Sequence, residues 1–374
     1  MIEIDTVLIK VASRCNINCS YCYVYNLGDK GWLDMPNHIS SETITATAKS
    51  LSELSLIQQR PFAVVLHGGE PLLLGPAKLN WLISRLRSTL PQACSFSLQT
   101  NGVLITEDIL NVCFENRTTI SVSIDGPRHI HDRNRVGHSG QGTYDKVLDG
   151  IQRLRNHRNS DSLFSGLLAV IDPTSEPEEV YNFFKSLDPP GVDFLYRDGN
   201  HTWLPHGKES LRSTEYGQWL AKLIDIYLFD TKPLRIRFID DMVKLILGGT
   251  GTKDGVGLTD FGILVIDTDG SITKNDTLKS SFNGADRFTQ KWSVHTHKLA
   301  EILNSNEFVY AHALQRPTSK ICLKCSELKV CGGGMTLHRW RDENEYDNTS
   351  VYCADQLLLI GHIRKHLTSI LASA

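Results

Sequence analysis

Cys15, Cys19 and Cys22 lie in the run Arg14-Cys15-Asn16-Ile17-Asn18-Cys19-Ser20-Tyr21-Cys22-Tyr23, a C-x3-C-x2-C spacing that puts three thiols on one short loop. Three thiolates so placed can each hold one iron of a cubane iron–sulfur cluster, leaving the fourth iron without a protein ligand and open to a substrate or cofactor. The same residues can also be read as zinc ligands or as buried small hydrophobes. A second group, Cys322-x2-Cys325-x5-Cys331 followed by Cys353, supplies four thiols. Four thiolates saturate a cubane, so this would be a closed site for electron transfer or structure; a tetracysteine zinc site fits the spacing as well.

The elements that must position these groups follow from periodicity. Apolar runs at 7–11, 62–66, 95–99, 120–124, 165–171 and 192–196 read as strands, and amphipathic patterns at 41–56, 77–90, 107–113, 144–156 and 177–187 as the helices between them. Six such βα units imply a parallel sheet. The polar motifs at Cys15, His67, Gln99 and Asp125 follow strand ends directly, where an α/β barrel builds its active site. The alternation stops near residue 205, and 215–229 and 240–247 read as two bridging helices.

With these residues in view, the chain resembles the radical S-adenosylmethionine (radical SAM) enzymes, whose open iron is chelated by S-adenosyl-L-methionine and whose reductive cleavage of it yields a 5′-deoxyadenosyl radical. The resemblance implies an α/β fold with a partial (β/α)6 TIM-type barrel. Within His67-Gly68-Gly69-Glu70-Pro71, it implies that Gly68, Gly69 and Glu70 line the methionine moiety of the cofactor; glycines also permit close backbone approach. Gln99 and Asn101, in Gln99-Thr100-Asn101-Gly102, and Ser123 and Asp125, in Ser121-Val122-Ser123-Ile124-Asp125-Gly126, are expected at its ribose and amino acid. Arg135 matches the arginine that meets its carboxylate, a role that suits the guanidinium fork. By the same analogy Tyr21 and Tyr23 stand near the adenine.

The C-terminal cysteines look like half of the SPASM extension of peptide-modifying radical SAM enzymes, in which Cys322, Cys325, Cys331 and Cys353 would bind an auxiliary 4Fe-4S cluster. The expected division is a barrel over 1–205, bridging helices over 206–255, and a smaller SPASM-like α+β domain over 256–374. The other SPASM cluster lacks ligands here: 256–272 has no cysteine, the hairpin end reads Lys274-Asn275-Asp276, and the later position reads Gly333-Gly334-Met335. Asp276 matches the aspartate that acts as base in the anaerobic sulfatase-maturating enzymes, or else caps the turn at Asp269-Gly270-Ser271. The segments Val11-Ala12-Ser13-Arg14-Cys15, Asp267-Thr268-Asp269-Gly270-Ser271-Ile272 with Asp276, Val330-Cys331-Gly332-Gly333-Gly334, His338-Arg339-Trp340-Arg341 and Asn348-Thr349-Ser350-Val351-Tyr352-Cys353-Ala354-Asp355 resemble the cyclophane-forming radical SAM/SPASM maturases of ribosomally made peptides. That resemblance implies a crosslink between an aromatic ring and a β-carbon. Formylglycine formation, thioether formation and epimerisation are the alternatives. The implied partners are a precursor peptide and a low-potential donor of flavodoxin or ferredoxin type.

Composition is compatible with such an enzyme. At 374 residues, 41% hydrophobic and 22% charged, with a net charge of -3, the chain is neither disordered nor basic enough for nucleic-acid binding. No signal peptide or membrane span is visible, and seven of nine cysteines fall in metal-spaced groups, so a reducing cytoplasm is expected. Cys94 and Cys113 read as core residues. Fourteen residues precede Cys15, too few for a leader-binding domain there, so a leader is expected to dock elsewhere or to be unnecessary; pairing along an exposed strand edge is one physically plausible mode.

Overall fold

The run Thr6-Val7-Leu8-Ile9-Lys10-Val11-Ala12 is apolar but for Thr6 at its start and the lysine within it, as suits a strand covered on both faces. It forms β1 (Thr6–Ala12), with Val7, Ile9 and Val11 fully buried. The other strands are β2 (Asn18–Cys19), β3 (Ala63–Gly68), β4 (Ser95–Thr100), β5 (Thr118–Ser123), β6 (Arg135–Val136), β7 (Phe164–Val170), β8 (Val192–Leu195), β9 (Ile263–Ile266), β10 (Ser271–Thr273) and β11 (Trp292–Ser293). The helices are α1 (Ser41–Gln58), α2 (Pro76–Arg87), α3 (Glu107–Glu115), α4 (Arg128–Asn134), α5 (Tyr144–Asn156), α6 (Ser160–Leu163), α7 (Pro177–Leu187), α8 (Glu215–Phe229), α9 (Arg237–Ile246), α10 (Leu299–Leu303), α11 (Asn306–Ala313), α12 (Lys320–Leu323), α13 (Leu328–Cys331) and α14 (Cys353–Ser373). This computed structural model describes residues 1–373.

The chain divides into two units. The first comprises 1–124, 131–167 and 261–312; the second comprises 125–130, 168–260 and the chain from 313 onward. In the first unit the strand order is β11-β10-β9-β1-β3-β4-β5-β7, and β1, β3, β4 and β5 pair in parallel. Connecting helices return the chain each time, as parallel pairing requires. Ser40 caps α1 by accepting from Thr43 N, and Thr106 caps α3 through Ile109 N. The last residues of β7 belong to the second unit, where Ile171 N donates to Leu195 O beside β8. The α/β fold with a parallel sheet thus matches expectation, with strands offset by at most a few residues.

Three segments depart from the expected division. Residues 125–130 and 168–205, expected in the barrel, belong to the second unit, and residues 261–312, expected in the C-terminal module, pack in the first unit, where β9 pairs in parallel with β1 from Thr6↔Ile263 to Ile9↔Ile266. Four apolar residues, Ile263-Leu264-Val265-Ile266, are too short a run to assign by period alone. In the second unit, α8 and α14 pack closely: a Cβ on Gly217 would come within 2.7 Å of Asp355 O. Among the described residues no helix is long and apolar enough to cross a membrane.

The junction of β9 with β1 supplies a test of this arrangement. Asp5 N and Thr6 N both donate to Gly262 O, and a Cβ on Gly262 would lie 1.7 Å from Glu3 O. Gly262→Ala must therefore displace backbone, at a cost of about 1–3 kcal/mol. The expected outcome is a lower thermal midpoint with unchanged secondary structure by circular dichroism; an unchanged midpoint would contradict the packing described.

Candidate functional site

In the first unit the three N-terminal cysteines follow the end of β1. Their loop is pinned by the small β2–β6 ladder, which sets Asn18 opposite Val136 and Cys19 opposite Arg135. Ser20 N adds a bond to Asn134 O, and Asn26 Nδ2 donates to Cys19 O. Burial, then the Glu70 carboxylate, pushes the Cys15 thiol up to about 12; burial, then Cys19, pushes Cys22 up to about 11. Cys15 and Cys22, within electrostatic reach of Cys19 and partly shielded from water, resist ionising by themselves. A bound metal reverses that balance by taking the place of the protons. The donor set fits an iron–sulfur cluster on Cys15, Cys19 and Cys22.

The strand ends close around this loop. Gly69 N donates to Ala12 O and Glu70 N to Arg14 O, so backbone lies on backbone. A Cβ on Gly69 would come within 2.0 Å of Tyr25 Oη and 2.2 Å of Arg14 O, which is why the position admits only glycine. Glu70, 1% exposed, spends its carboxylate on the protein: Oε1 accepts from Leu72 N and Thr100 Oγ1, and Oε2 from Asn101 N at 2.8 Å. It therefore staples the end of β3 to that of β4. Asn101 in turn donates to Asn16 Oδ1 at 2.8 Å and to Cys15 Sγ at 3.6 Å. Gln99 Nε2 donates to Ser123 Oγ, and Arg135 Nη1 to Tyr21 Oη at 2.9 Å. Asp125 falls in the second unit, where its Oδ1 accepts from Val170 N.

Asp276 sits just past β10, still in the first unit, and is buried. Its Oδ1 pairs with Lys10 Nζ at 2.6 Å, and its Oδ2 accepts from Tyr23 Oη at 2.9 Å. Tyr23, expected near an adenine, thus ties the cysteine loop to Asp276. Burial by itself would raise the Asp276 carboxyl, but Lys10, Lys279 and His67 together outweigh it and hold the group below the usual carboxylate range. Lys279 pairs with Asp286 and, at 3.5 Å, with Asp29. The sequence reading missed Lys10, although a lysine amid Val7-Leu8-Ile9 and Val11-Ala12 is itself the signal: a buried ammonium demands a carboxylate.

In the second unit Cys322, Cys325, Cys331 and Cys353 come together at α12, the α13 C-terminus and the start of α14. Burial, then Cys353, Cys322 and Cys325, pushes Cys331 up to about 12, and Cys353 is raised by burial and then by Cys322 and Cys325. The turn between them needs glycine: Gly332, Gly333 and Gly334 all have positive φ. Arg339 is also close, fully buried, and among the described residues bonded only to neutral acceptors, Arg316 O, Leu314 O and Thr336 Oγ1. The groups that favour its charge are Cys322, Tyr346 and Cys331. A buried guanidinium facing thiols fits a site that is anionic when its cysteines hold metal.

Two substitutions test these electrostatics. Lys10→Met leaves Asp276 buried without its cation and is expected to cost about 3–5 kcal/mol, most of it recovered in Lys10→Met/Asp276→Leu. In the wild type the Asp276 contribution is present above the ordinary carboxylate range and is lost as pH falls through its depressed folded value. Urea midpoints measured against pH would show that acid limb in the wild type and not in Lys10→Met. Separately, Arg339→Met is expected to lose metal from the C-terminal cysteines and keep that of the N-terminal three, checked by metal analysis with Cys325→Ala as reference. Full metal content in a folded Arg339→Met protein would remove the charge-balance argument.

Comparison with known proteins bears on family and fold. A family model described as the Radical SAM superfamily matches residues 9–186. The chain is 27% identical over 367 residues to the cysteine-type anaerobic sulfatase-maturating enzyme of Clostridium perfringens, covering 93% of each. It is 30% identical over 248 residues to an uncharacterized protein of Methanothermobacter thermautotrophicus, covering 64% of this chain and 85% of that one. The solved structure of native anSMEcpe with bound AdoMet and Cp18Cys peptide shares the fold, with a TM-score of 0.81 at 22% identity over 99% of both chains.

Proposed function

The chain belongs to the radical SAM superfamily, and from that premise we propose that it is an enzyme that oxidises a side chain of a peptide or protein at its β-carbon. The finer reading best supported is conversion of a cysteine or serine to formylglycine. The observation that carries it is the match along 93% of both chains to a sulfatase-maturating enzyme. Cys15, Cys19 and Cys22 would hold the cluster, and the polar groups at the ends of β3, β4 and β5, with Arg135, would hold S-adenosyl-L-methionine. When bound, these two groups supply a 5′-deoxyadenosyl radical able to remove a hydrogen atom from an unactivated carbon.

The rest of the oxidation asks the protein to accept one proton and to pass on one electron. Asp276 is ionised at neutral pH because Lys10 holds it so, and Tyr23 fixes the direction of its Oδ2. A carboxylate kept below its usual range is a weak base. It suits a proton that loss of a hydrogen atom has already made acidic. Cys322, Cys325, Cys331 and Cys353 would hold an auxiliary cluster as the electron's next stop, with a flavodoxin or ferredoxin as the external donor.

A second reading is crosslinking of an aromatic ring to a β-carbon, the cyclophane chemistry expected from the sequence. The segments Val330-Cys331-Gly332-Gly333-Gly334 and His338-Arg339-Trp340-Arg341 support it by resemblance, and the chain departs from the full SPASM pattern at the hairpin end Lys274-Asn275-Asp276 and at Gly333-Gly334-Met335, where a further auxiliary cluster would need thiols. Both readings begin with hydrogen loss at a β-carbon and both need a base.

Mass analysis separates them. A sulfatase-derived peptide carrying the target cysteine, and any short peptide found encoded beside the gene, are each incubated with reconstituted enzyme, S-adenosyl-L-methionine and reductant. Formylglycine formation gives a hydrazide-reactive aldehyde, with sulfur lost and oxygen gained. Crosslinking gives loss of one hydrogen pair with altered aromatic signals and no aldehyde. With whichever peptide reacts, Asp276→Asn is expected to form 5′-deoxyadenosine near the wild-type level while product falls by on the order of 10²–10⁴-fold. Near-normal product from the cluster-replete variant would reduce Asp276 to a structural residue.

A further inference from the structure

Two imidazoles on α14 converge on a carboxylate that no step above uses. His362 and His366 stand four residues apart, so they share one face of the helix. Asp225, on α8, faces them in the second unit. Nε2 of His362 and Nε2 of His366 each lie 2.7 Å from the same oxygen, Asp225 Oδ1, and 3.2 Å from one another. The three groups offer ligand atoms that all fall within 4.8 Å.

Hydrogen bonding satisfies this triangle poorly. If both Nε2 atoms carry protons, two N–H groups crowd side by side onto one oxygen. If either lacks its proton, a lone pair faces the carboxylate. A divalent cation at the centre would accept all three lone pairs at once. In a tetrahedral site with bonds of about 2.0–2.1 Å, ligand atoms stand about 3.3 Å apart, so the imidazole spacing is already suitable and the carboxylate needs to move out by roughly half an ångström. The side chains are 25%, 24% and 43% exposed, which leaves an entry path and room for water as a fourth ligand.

We propose that Asp225, His362 and His366 bind a divalent transition metal, zinc by preference, that fastens α14 to α8. Imidazole and carboxylate are the donor types zinc takes in such three-residue sites. The metal forms the second of two clamps between these helices. At the first, Asp355 near the start of α14 accepts from Gly217 N at 2.8 Å and pairs with Lys208 at 2.6 Å. The second lies further along both helices and holds the one that begins at Cys353.

The test uses cluster-replete protein, so that the cysteines are occupied, and zinc alone as the probe. Competition against a chromophoric chelator should show one zinc bound beyond the cluster metal, with a raised thermal midpoint. Cobalt in its place should give ligand-field bands without thiolate charge transfer. His366→Gln and Asp225→Asn should each weaken zinc binding by more than about 100-fold and abolish the midpoint shift, while the metal-free midpoints stay near wild type. Absence of the extra zinc, a thiolate signature with cobalt, or equal binding in wild type and both variants would overturn the proposal and leave an imidazole–carboxylate hydrogen-bond cluster only.

Discussion

A lysine inside a buried strand constrains everything around it. Lys10 lies within β1, with strands on both sides, and the residue is 4% exposed. Leaving that charge unpaired would cost several kcal/mol, so the strand cannot be completed from its own neighbourhood in sequence. The partner, Asp276, arrives on the segment that follows β9 and β10, and Asp267 approaches the same ammonium at 3.8 Å. Tyr23 then connects Asp276 to the loop that carries Cys15, Cys19 and Cys22. One charge requirement thus brings the cysteine loop, the central strand and the far segment of the first unit to one place.

Much of the fold was legible because its signals are local. The βα alternation through residue 196 depends on runs of five to seven apolar residues and on helical stripes, and the observed elements follow it closely. The strand-end motifs could likewise be located, since they interrupt apolar runs with Gly, Asn, Asp and Glu. What escaped was pairing at long range. Nothing within Ile263-Leu264-Val265-Ile266 says that it lies beside Thr6 to Ile9, and nothing near Lys10 names its partner. Glu70 shows the other limit: its position was apparent, but its three hydrogen-bond donors come partly from another strand's end, and only their geometry shows the carboxylate already engaged.

The two cysteine groups differ in their electrostatic surroundings as well as in number. Cys15 has the buried Glu70 among its nearest influences, a negative group that disfavours added negative charge, while Arg135 acts in the opposite sense on Cys22. The C-terminal four have Arg339, whose charge is favoured by Cys322 and Cys331 and neutralised by no carboxylate among the described residues. A buried guanidinium beside these thiols would lower the energy of the more reduced, more negative state of any redox group bound there. The two environments would therefore give any metal groups bound in them different potentials even with identical inorganic cores.

The pairing of β1 with β9 also bears on how the chain is made. During synthesis β1 emerges before β9, and its edge toward β9 stays bare until Ile263 has left the ribosome. Over that interval the edge presents unpaired amides on an apolar strand, the feature that invites pairing with the wrong chain. The buried Lys10 is then still an exposed cation, and a charge on a bare edge is one way natural strands discourage such association. The residue that later anchors Asp276 would in this way guard the nascent chain before the anchor exists.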